Sequence, residues 1–420
     1  MSSRIRSLLA AAGLLTVGTV PSAARAEKIF ATESFEMSFS GYGEIGFSFY
    51  DHGANQNRDG GALEDRRLEF DTTRLVTELE MTLPIGIEVE AEVEFEEFGE
   101  FESEIEKGGE VVVEELYIEL DRDRFELKLG RFYVAVGQLS YYYQPTDYLG
   151  AVRSEAETTV IPAQWDEMGA SFLMYLPRVR LTAQVVNGLD SSGFSSAFWV
   201  ASGHQGKFET IRATALAGVG RLDVDATRHL EVGVSGYVGG SSRNRPKPDL
   251  TRDCSDPDPE RVAPCDYIAG TVTILDAHAR WVGHGLRGQA WAMWGRLKNA
   301  DLISERNDRL SNELDVARTP IADHAIAGTV ELGYDIAPHI GLDIGHKLEP
   351  FGRVEYIDTM YDVREGLFDN PRFERTIVGL GAAYTYKNAI VGKLEASRRS
   401  FGSSELRSEN TVRATAGFVF

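Results

Sequence analysis

Period-2 alternation of apolar and polar residues runs through most of the chain and limits its fold more than any other feature. From Ile87 to Phe95 the sequence reads Ile-Glu-Val-Glu-Ala-Glu-Val-Glu-Phe. Successive side chains of a strand point to opposite faces, so this segment has one apolar face and one charged face. Earlier, Phe35, Met37, Phe39, Ile45, Phe47 and Phe49 share one parity, while Glu36, Ser38, Ser40, Tyr42, Glu44 and Ser48 hold the other. The same pattern predicts about sixteen strands, near 35–50, 66–83, 87–97, 111–121, 124–132, 166–176, 178–187, 207–224, 229–240, 267–282, 286–297, 323–335, 347–361, 372–386, 389–400 and 410–420. Helical periodicity is nearly absent after residue 27.

The predicted connections alternate in length. Pro84-Ile85-Gly86, Asp121 to Arg124, Pro177, Gly283-His284-Gly285 and Lys387-Asn388 read as tight turns. Between them fall long loops at 51–65, 98–110, 133–165, 188–206, 241–266, 298–322, 362–371 and 401–409, and one turn, 336–346, is longer than the rhythm requires. Short turns at one end and long loops at the other predict an all-β fold, a transmembrane antiparallel β-barrel with both termini on the short-turn side. A bilayer tolerates no open sheet edge, so such a sheet must close on itself. A soluble β-sandwich is the alternative, but it has no reason for the long–short rhythm.

Composition narrows the function. The net charge of −22 over 420 residues disfavours nucleic acid, which calls for a basic face. Two cysteines exclude a disulfide scaffold and a four-cysteine metal site. Arg4 and Arg6, an apolar stretch from Leu8 to Val20 and the run Pro21-Ser-Ala-Ala-Arg-Ala26 predict a signal peptide over 1–26; an uncleaved anchor is the alternative. Removing three arginines and no acids takes the charge from −22 to −25, leaving a barrel over 27–420. Val412, Ala414, Ala416, Phe418 and Phe420 lie on one parity, so terminal Phe420 reads as an assembly signal for the outer-membrane barrel assembly machinery.

From here the chain resembles the phosphate-selective porin O and P family of Gram-negative outer membranes. The resemblance rests on Leu129-Gly130-Arg131, Gly137, a tyrosine-rich loop, Ile161-Pro162, Trp165, Gly169 and Val186-Asn187-Gly188. Glu349 to Tyr356 and Gly379-Leu380-Gly381 before Lys387-Asn388 add to it. It implies a sixteen-stranded homotrimer in the outer membrane, in contact with lipid and lipopolysaccharide, whose long third extracellular loop folds into the lumen. That loop is 133–165, and its candidate constriction residues are Tyr141, Tyr142, Tyr143, Asp147, Tyr148, Arg153, Glu155 and Glu157; a loop that merely caps the mouth is the alternative.

The charge pattern departs from a phosphate pore. Residues 64–131 hold 23 acids and 8 bases. Glu78, Glu80, Glu88, Glu90, Glu92, Glu94, Glu115, Glu119 and Glu126 stand on the predicted lumen parity with Lys128, and carboxylate walls favour cations. Later strands place Arg178, Arg180, Arg212, Arg280, Arg287, Arg353, Arg375, Lys393 and Arg413 on that parity, with Asp276, Glu331, Glu355 and Glu395 between them. This predicts an acidic wall facing a basic one, or charges that pair across neighbouring strands.

The remaining signals are weaker. Loop 98–110 gathers five carboxylates without EF-hand spacing, so it reads as a solvated acidic loop. Cys254 and Cys265, in a proline-rich loop, predict a local disulfide outside the cytoplasm. The eight histidines show no metal spacing and no cofactor is implied. His278 lies between Asp276 and Arg280 on the lumen parity, but no nucleophile elbow accompanies it. The sequence therefore predicts a non-enzymatic pore for small ions or solutes. The alternatives are an anion-specific porin, a barrel-borne hydrolase and a plugged structural barrel.

Overall fold

The computed structural model describes residues 27–32, 35–54, 64–84, 86–96, 110–205, 211–244, 268–308 and 319–420. The leader, the acidic run 98–109 and both cysteines lie outside the described residues. A short strand, β1 (Glu27–Ala31), precedes β2 (Glu36–Ala54), β3 (Glu64–Thr82), β4 (Glu88–Glu96), β5 (Glu110–Arg122) and β6 (Phe125–Tyr133). Next come β7 (Asp166–Leu176), β8 (Val179–Asn187), β9 (Leu216–Asp225), β10 (Leu230–Gly240), β11 (Thr271–Gly283) and β12 (Leu286–Leu297). The last five are β13 (His324–Tyr334), β14 (His346–Asp362), β15 (Glu374–Tyr386), β16 (Ile390–Phe401) and β17 (Glu409–Val419). Each strand from β2 onward pairs antiparallel with the next, and β17 pairs with β2, closing a sixteen-stranded barrel.

The closing seam shows why closure is specific. The Phe420 N–H donates to the Gly41 carbonyl at 2.9 Å, and the Gly41 N–H donates back at 3.1 Å. A Cβ on Gly41 would lie 2.3 Å from the Val76 carbonyl and 2.8 Å from the Phe420 ring, so only glycine allows strand and ring to meet there. Strand β2 continues past the end of β17. Its residues 36–39 pair instead with β1, from Ala31↔Glu36 to Glu27↔Phe39. That covers an edge otherwise open to pairing with another chain.

Alternation sorts the side chains as the sequence requires. Ile45, Val330, Leu380 and Leu394 turn outward, 55–67 % exposed. Ser40, Glu44 and Ser48 turn inward and are buried. Two predicted lumen residues do not lie there. β9 begins at Leu216 rather than 207, so Arg212 sits exposed in the preceding connection, its N–H donating to Gln205. Arg178 is exposed in the tight turn between β7 and β8. Pro177 cannot supply a ladder N–H and ends β7 there.

Part of the interior is an apolar core. Val134, Val136, Val160, Ile161 and Trp165 from the 134–165 connection join Leu189, Phe194 and Trp199 from the next long connection. Ile303 arrives on a short helix, α2 (Ala300–Asn307), following α1 (Glu155–Val160) in chain order. These pack on inward side chains of β8 to β14, including Tyr237, Ile274, Trp291 and Ile357. Gly295 makes room for the Trp199 ring, which lies 2.1 Å from where a Cβ would stand.

Candidate pore and its loop

Residues 134–165 cross the inside of the barrel and bond to its far wall. Glu331 on β13 accepts from the Leu149 and Gly150 N–H groups at 2.6 and 2.8 Å. Glu395 on β16 accepts from Ala151 N–H at 2.8 Å. Glu355 on β14 accepts from Ala156 N–H at 2.7 Å and from the Ser154 hydroxyl at 2.8 Å. Arg353 donates to the Val152 carbonyl at 2.8 Å, and the Thr415 hydroxyl donates to the Ala151 carbonyl at 2.8 Å. Backbone of irregular shape needs partners when buried, and charged side chains of β13, β14 and β16 with the Thr415 hydroxyl of β17 supply them.

The predicted loop residues take different places. Tyr148 donates to Glu44 at 2.9 Å and carries Lys393 over its ring at 3.5 Å. Tyr142 donates to Glu231 at 2.7 Å, with Arg280 over its ring at 4.3 Å. Tyr141 lies under Arg221 at 4.2 Å, and Tyr143 packs between the Tyr42 and Tyr133 rings. Arg153 donates to the Tyr42 hydroxyl at 3.3 Å. Glu155 pairs with Arg375 at 3.2 Å and closely with Arg399; burial would raise its pKa, but these two arginines hold it below the ordinary range. Glu157 accepts the Gln138 and Leu139 N–H groups at 2.7 and 2.8 Å, yet burial still pushes its carboxyl up to about 7. Asp147 accepts from Gln144 N–H at 3.1 Å, and burial pushes it up to about 6 against Arg280. Glu157 and Asp147 thus shape the loop itself.

The inner faces of β3, β4 and β5 are acidic. Glu78 stands opposite Glu92, Glu80 opposite Glu90, Glu88 opposite Glu119 and Glu92 opposite Glu115. Directly opposed residues share a face, and like charges there are destabilising. Glu94 pairs closely with Arg74, and Glu119 lies 3.4 Å from Lys128. A bulge after Glu92 turns Glu114 inward beside Glu115, where Tyr133 donates to it at 2.8 Å. Arg180, Arg280, Arg353, Arg375, Lys393 and Arg413 occupy the inner faces of later strands. Arg353 lies 3.1 Å from Glu355 and 2.7 Å from Glu395, and Arg180 pairs with Glu231. His278, Asp223, Asp276 and Arg221 form a buried cluster under the loop, with His278 Nε2 2.8 Å from Asp223 and Nδ1 3.2 Å from Asp276. Arg74, Arg221, Glu231 and Arg399 all line the interior but were not among the predicted pore residues.

A cavity of about 380 Å³ remains between the acidic wall and the loop. Glu78, Glu80, Glu90, Glu115, Glu126 and Lys128 line it from the strands, and Tyr141, Tyr143, Gln144 and Asp147 from the loop.

Solved structures share this architecture. The outer membrane channel DcaP of Acinetobacter baumannii is 12% identical with a TM-score of 0.54; the alignment covers 93% of this chain and 99% of DcaP. OprB of Pseudomonas putida is 10% identical, TM-score 0.53, covering 92% and 94%. The anion-selective porin of Comamonas acidovorans is 10% identical, TM-score 0.52, covering 92% and 100%. The chain has the porin barrel fold. At these identities the likeness is one of fold. No protein-family model matches the sequence, and no curated protein does.

Proposed function

We propose that this chain is an outer-membrane porin through which small hydrophilic solutes diffuse passively, with a preference for cations. The observation that carries this is a closed barrel with an apolar belt outside and a charged, loop-crossed interior. An apolar outer belt fits hydrocarbon, and an interior wall of opposed carboxylates favours cations. The 133–165 loop narrows the path, with Tyr148, Arg153 and Glu155 tied to Glu44, Tyr42 and the Arg375 and Arg399 pair. Residues 1–26 direct export and are removed, Phe420 marks the last strand for the assembly machinery, and three copies associate through the lipid-facing wall. Similarity to DcaP, OprB and an anion-selective porin supports the channel class.

A hydrolase is the poorer reading. The group most like a catalytic cluster, His278 with Asp276 and Asp223, is buried with its His278 side chain 1% exposed, and its nitrogens are engaged by those acids. It fastens the loop, as Asp276 accepts the Gly137 N–H at 3.1 Å. Phosphate selectivity draws on cations at the narrow point, and two of them, Arg375 and Arg399, are already engaged by Glu155. The test is the zero-current potential of the refolded protein in a planar bilayer under a KCl gradient. A potential of cation sign supports the reading. Anion sign hands the narrow point to the arginines, and phosphate block should then be measured. A folded barrel without conductance overturns the channel.

A further inference from the structure

We infer that the long turn 335–346, at the short-turn end of the barrel, anchors the protein in the membrane, its aliphatic tip entering the phospholipid headgroup layer beside the wall. The inference rests on the barrel's lying in a bilayer, not on its conducting. Other described turns at this end carry polar tips, among them Arg122-Asp123-Arg124, Arg178 and Lys387-Asn388. The 335–346 turn instead presents Ile340, Leu342 and Ile344, of which Ile340 is 57% exposed and Ile344 fully so. Three aliphatics held in water are unfavourable, and exposed apolar patches mark contact surfaces.

The turn is closed by its own hydrogen bonds. Asp335 Oδ1 accepts from the Ala337 and Leu348 N–H groups at 3.0 and 3.1 Å. The Ile336 N–H donates to the Leu348 carbonyl at 2.9 Å. The Leu342 N–H donates to the Ala337 carbonyl at 3.1 Å, around one turn of 3-10 helix, Ala337–Ile340. The return leg docks on the neighbouring turn, where the Lys387 N–H donates to the Gly345 carbonyl at 2.6 Å. Backbone so satisfied fixes where the aliphatics stand.

Two observations select lipid as the occupant. The first is that the turn folds back over the outer face. Tyr334 shares the outward parity of Val330 and Leu332, and the His339 ring stacks on it, centroids 5.7 Å apart and planes at 16°. His346 packs against the outward Tyr384 and Tyr386 rings at 5.9 and 4.7 Å. Aromatic girdles sit at the membrane–water interface, so Ile340 to Ile344 continue the lipid-facing belt. The second is charge. Lys347 and Lys387 stand exposed beside the tip, and Asp343 is the one acid between Ile336 and Lys347. Apolar residues flanked by ammonium groups match the boundary between acyl chains and phosphates.

The test is the depth of position 344 in vesicles of phosphatidylethanolamine and phosphatidylglycerol. The whole refolded chain, with Cys254→Ser and Cys265→Ser, carries Ile344→Cys bearing a nitroxide label. Asp123→Cys, on the polar turn between β5 and β6, is the aqueous reference. Electron paramagnetic resonance reads collisions with oxygen, which concentrates in lipid, and with a water-soluble nickel chelate. A several-fold higher oxygen-to-nickel ratio is expected at 344 than at 123, and Ile340→Asp with Leu342→Asp should return it to the reference. Both positions lie outside the strands, so the barrel should fold; heat-modified gel mobility checks this. A ratio at 344 equal to the reference overturns the anchor. So does a label shielded from both reagents, which means that protein covers the turn, and so does a high ratio that survives the two aspartates. Conductance with a water-exposed label removes the anchor and keeps the channel. A lipid-buried label without conductance keeps the anchor and removes the channel.

Discussion

The inner face of β3 to β5 and that of β13 to β17 carry similar densities of charge and use them differently. On β13 to β17, Arg353 sits between Glu355 and Glu395, and Glu331, Glu355 and Glu395 each hold backbone N–H groups of the loop. On β3 to β5, glutamate faces glutamate across neighbouring strands. One wall is a clamp whose charges neutralise each other on the loop. The other leaves negative potential facing a cavity. A net charge for the lumen conceals this: what matters is whether the facing charges are of opposite or like sign.

Breaking the clamp should cost most. Arg353→Met leaves Glu355 and Glu395 buried without their cation, and unpairing a buried ion pair costs about 3–5 kcal/mol. Thermal unfolding in detergent, followed by circular dichroism, should show it as a lowered midpoint, with noisier open-channel current as the loop loosens. Tyr148→Phe removes one hydrogen bond from the loop to buried Glu44. A hydrogen bond to a charged group contributes about 1.5–3 kcal/mol, so a smaller fall in the same midpoint is expected. An unchanged midpoint for either would mean the loop is held elsewhere.

Neutralising the other wall should do the opposite. Glu78→Gln, Glu80→Gln and Glu90→Gln together should move the zero-current potential toward zero and leave the unfolding midpoint unchanged or raised. Relief of each facing pair contributes roughly 0.2–1 kcal/mol. A lowered midpoint would show that these carboxylates are structural after all, and would erase the contrast between the walls.

A separate, pH-dependent effect is expected outside both walls. Burial lowers the pKa of His204, but its ring is hydrogen-bonded to Asp166, and the balance raises it to about 9. The unfolded value is about 6.5. A histidine so raised stabilises the fold fully below about pH 6.5, and the contribution disappears as pH rises through about 9. The midpoint should fall across that window in the parent and flatten in His204→Gln.

Much of the architecture was legible because alternation is a local signal. The sixteen strands and the inward parity of β4 follow from alternation alone, whereas the pairing of Phe420 with Gly41 is seen only in the closed sheet. The bulge that turns Glu114 inward was not legible: the run Val111-Val112-Val113-Glu114-Glu115 gives no sign of where the extra residue is absorbed. Arg178 and Arg212 were placed on strands because parity continues into turns, where it stops having meaning. The apolar part of the interior was also hidden. Trp291 and Met293 face inward and Trp294 faces outward on one strand, so β12 is apolar on both sides. Only the arrival of Trp199 and Ile303 from distant loops gives the inward side its cover. Arg74 and Arg221 were missed for a related reason: their roles depend on Gln164 and His278, which are near them only in the closed barrel.

The seam joins residues whose synthesis is separated by nearly the whole chain; His52 and Thr411, bonded across it, are 359 positions apart. Joining ends that far apart has a loop-closure entropy of roughly 5 kcal/mol, which no single ladder bond offsets. Zippering the seam is therefore a terminal event in time as well as in sequence, and until it occurs the nascent sheet carries two raw margins. β1 already occupies the lowest part of one margin, so the arriving β17 has a fixed stop to register against. A chain without β17 would keep nearly every hairpin and still be an open sheet, vulnerable to proteases.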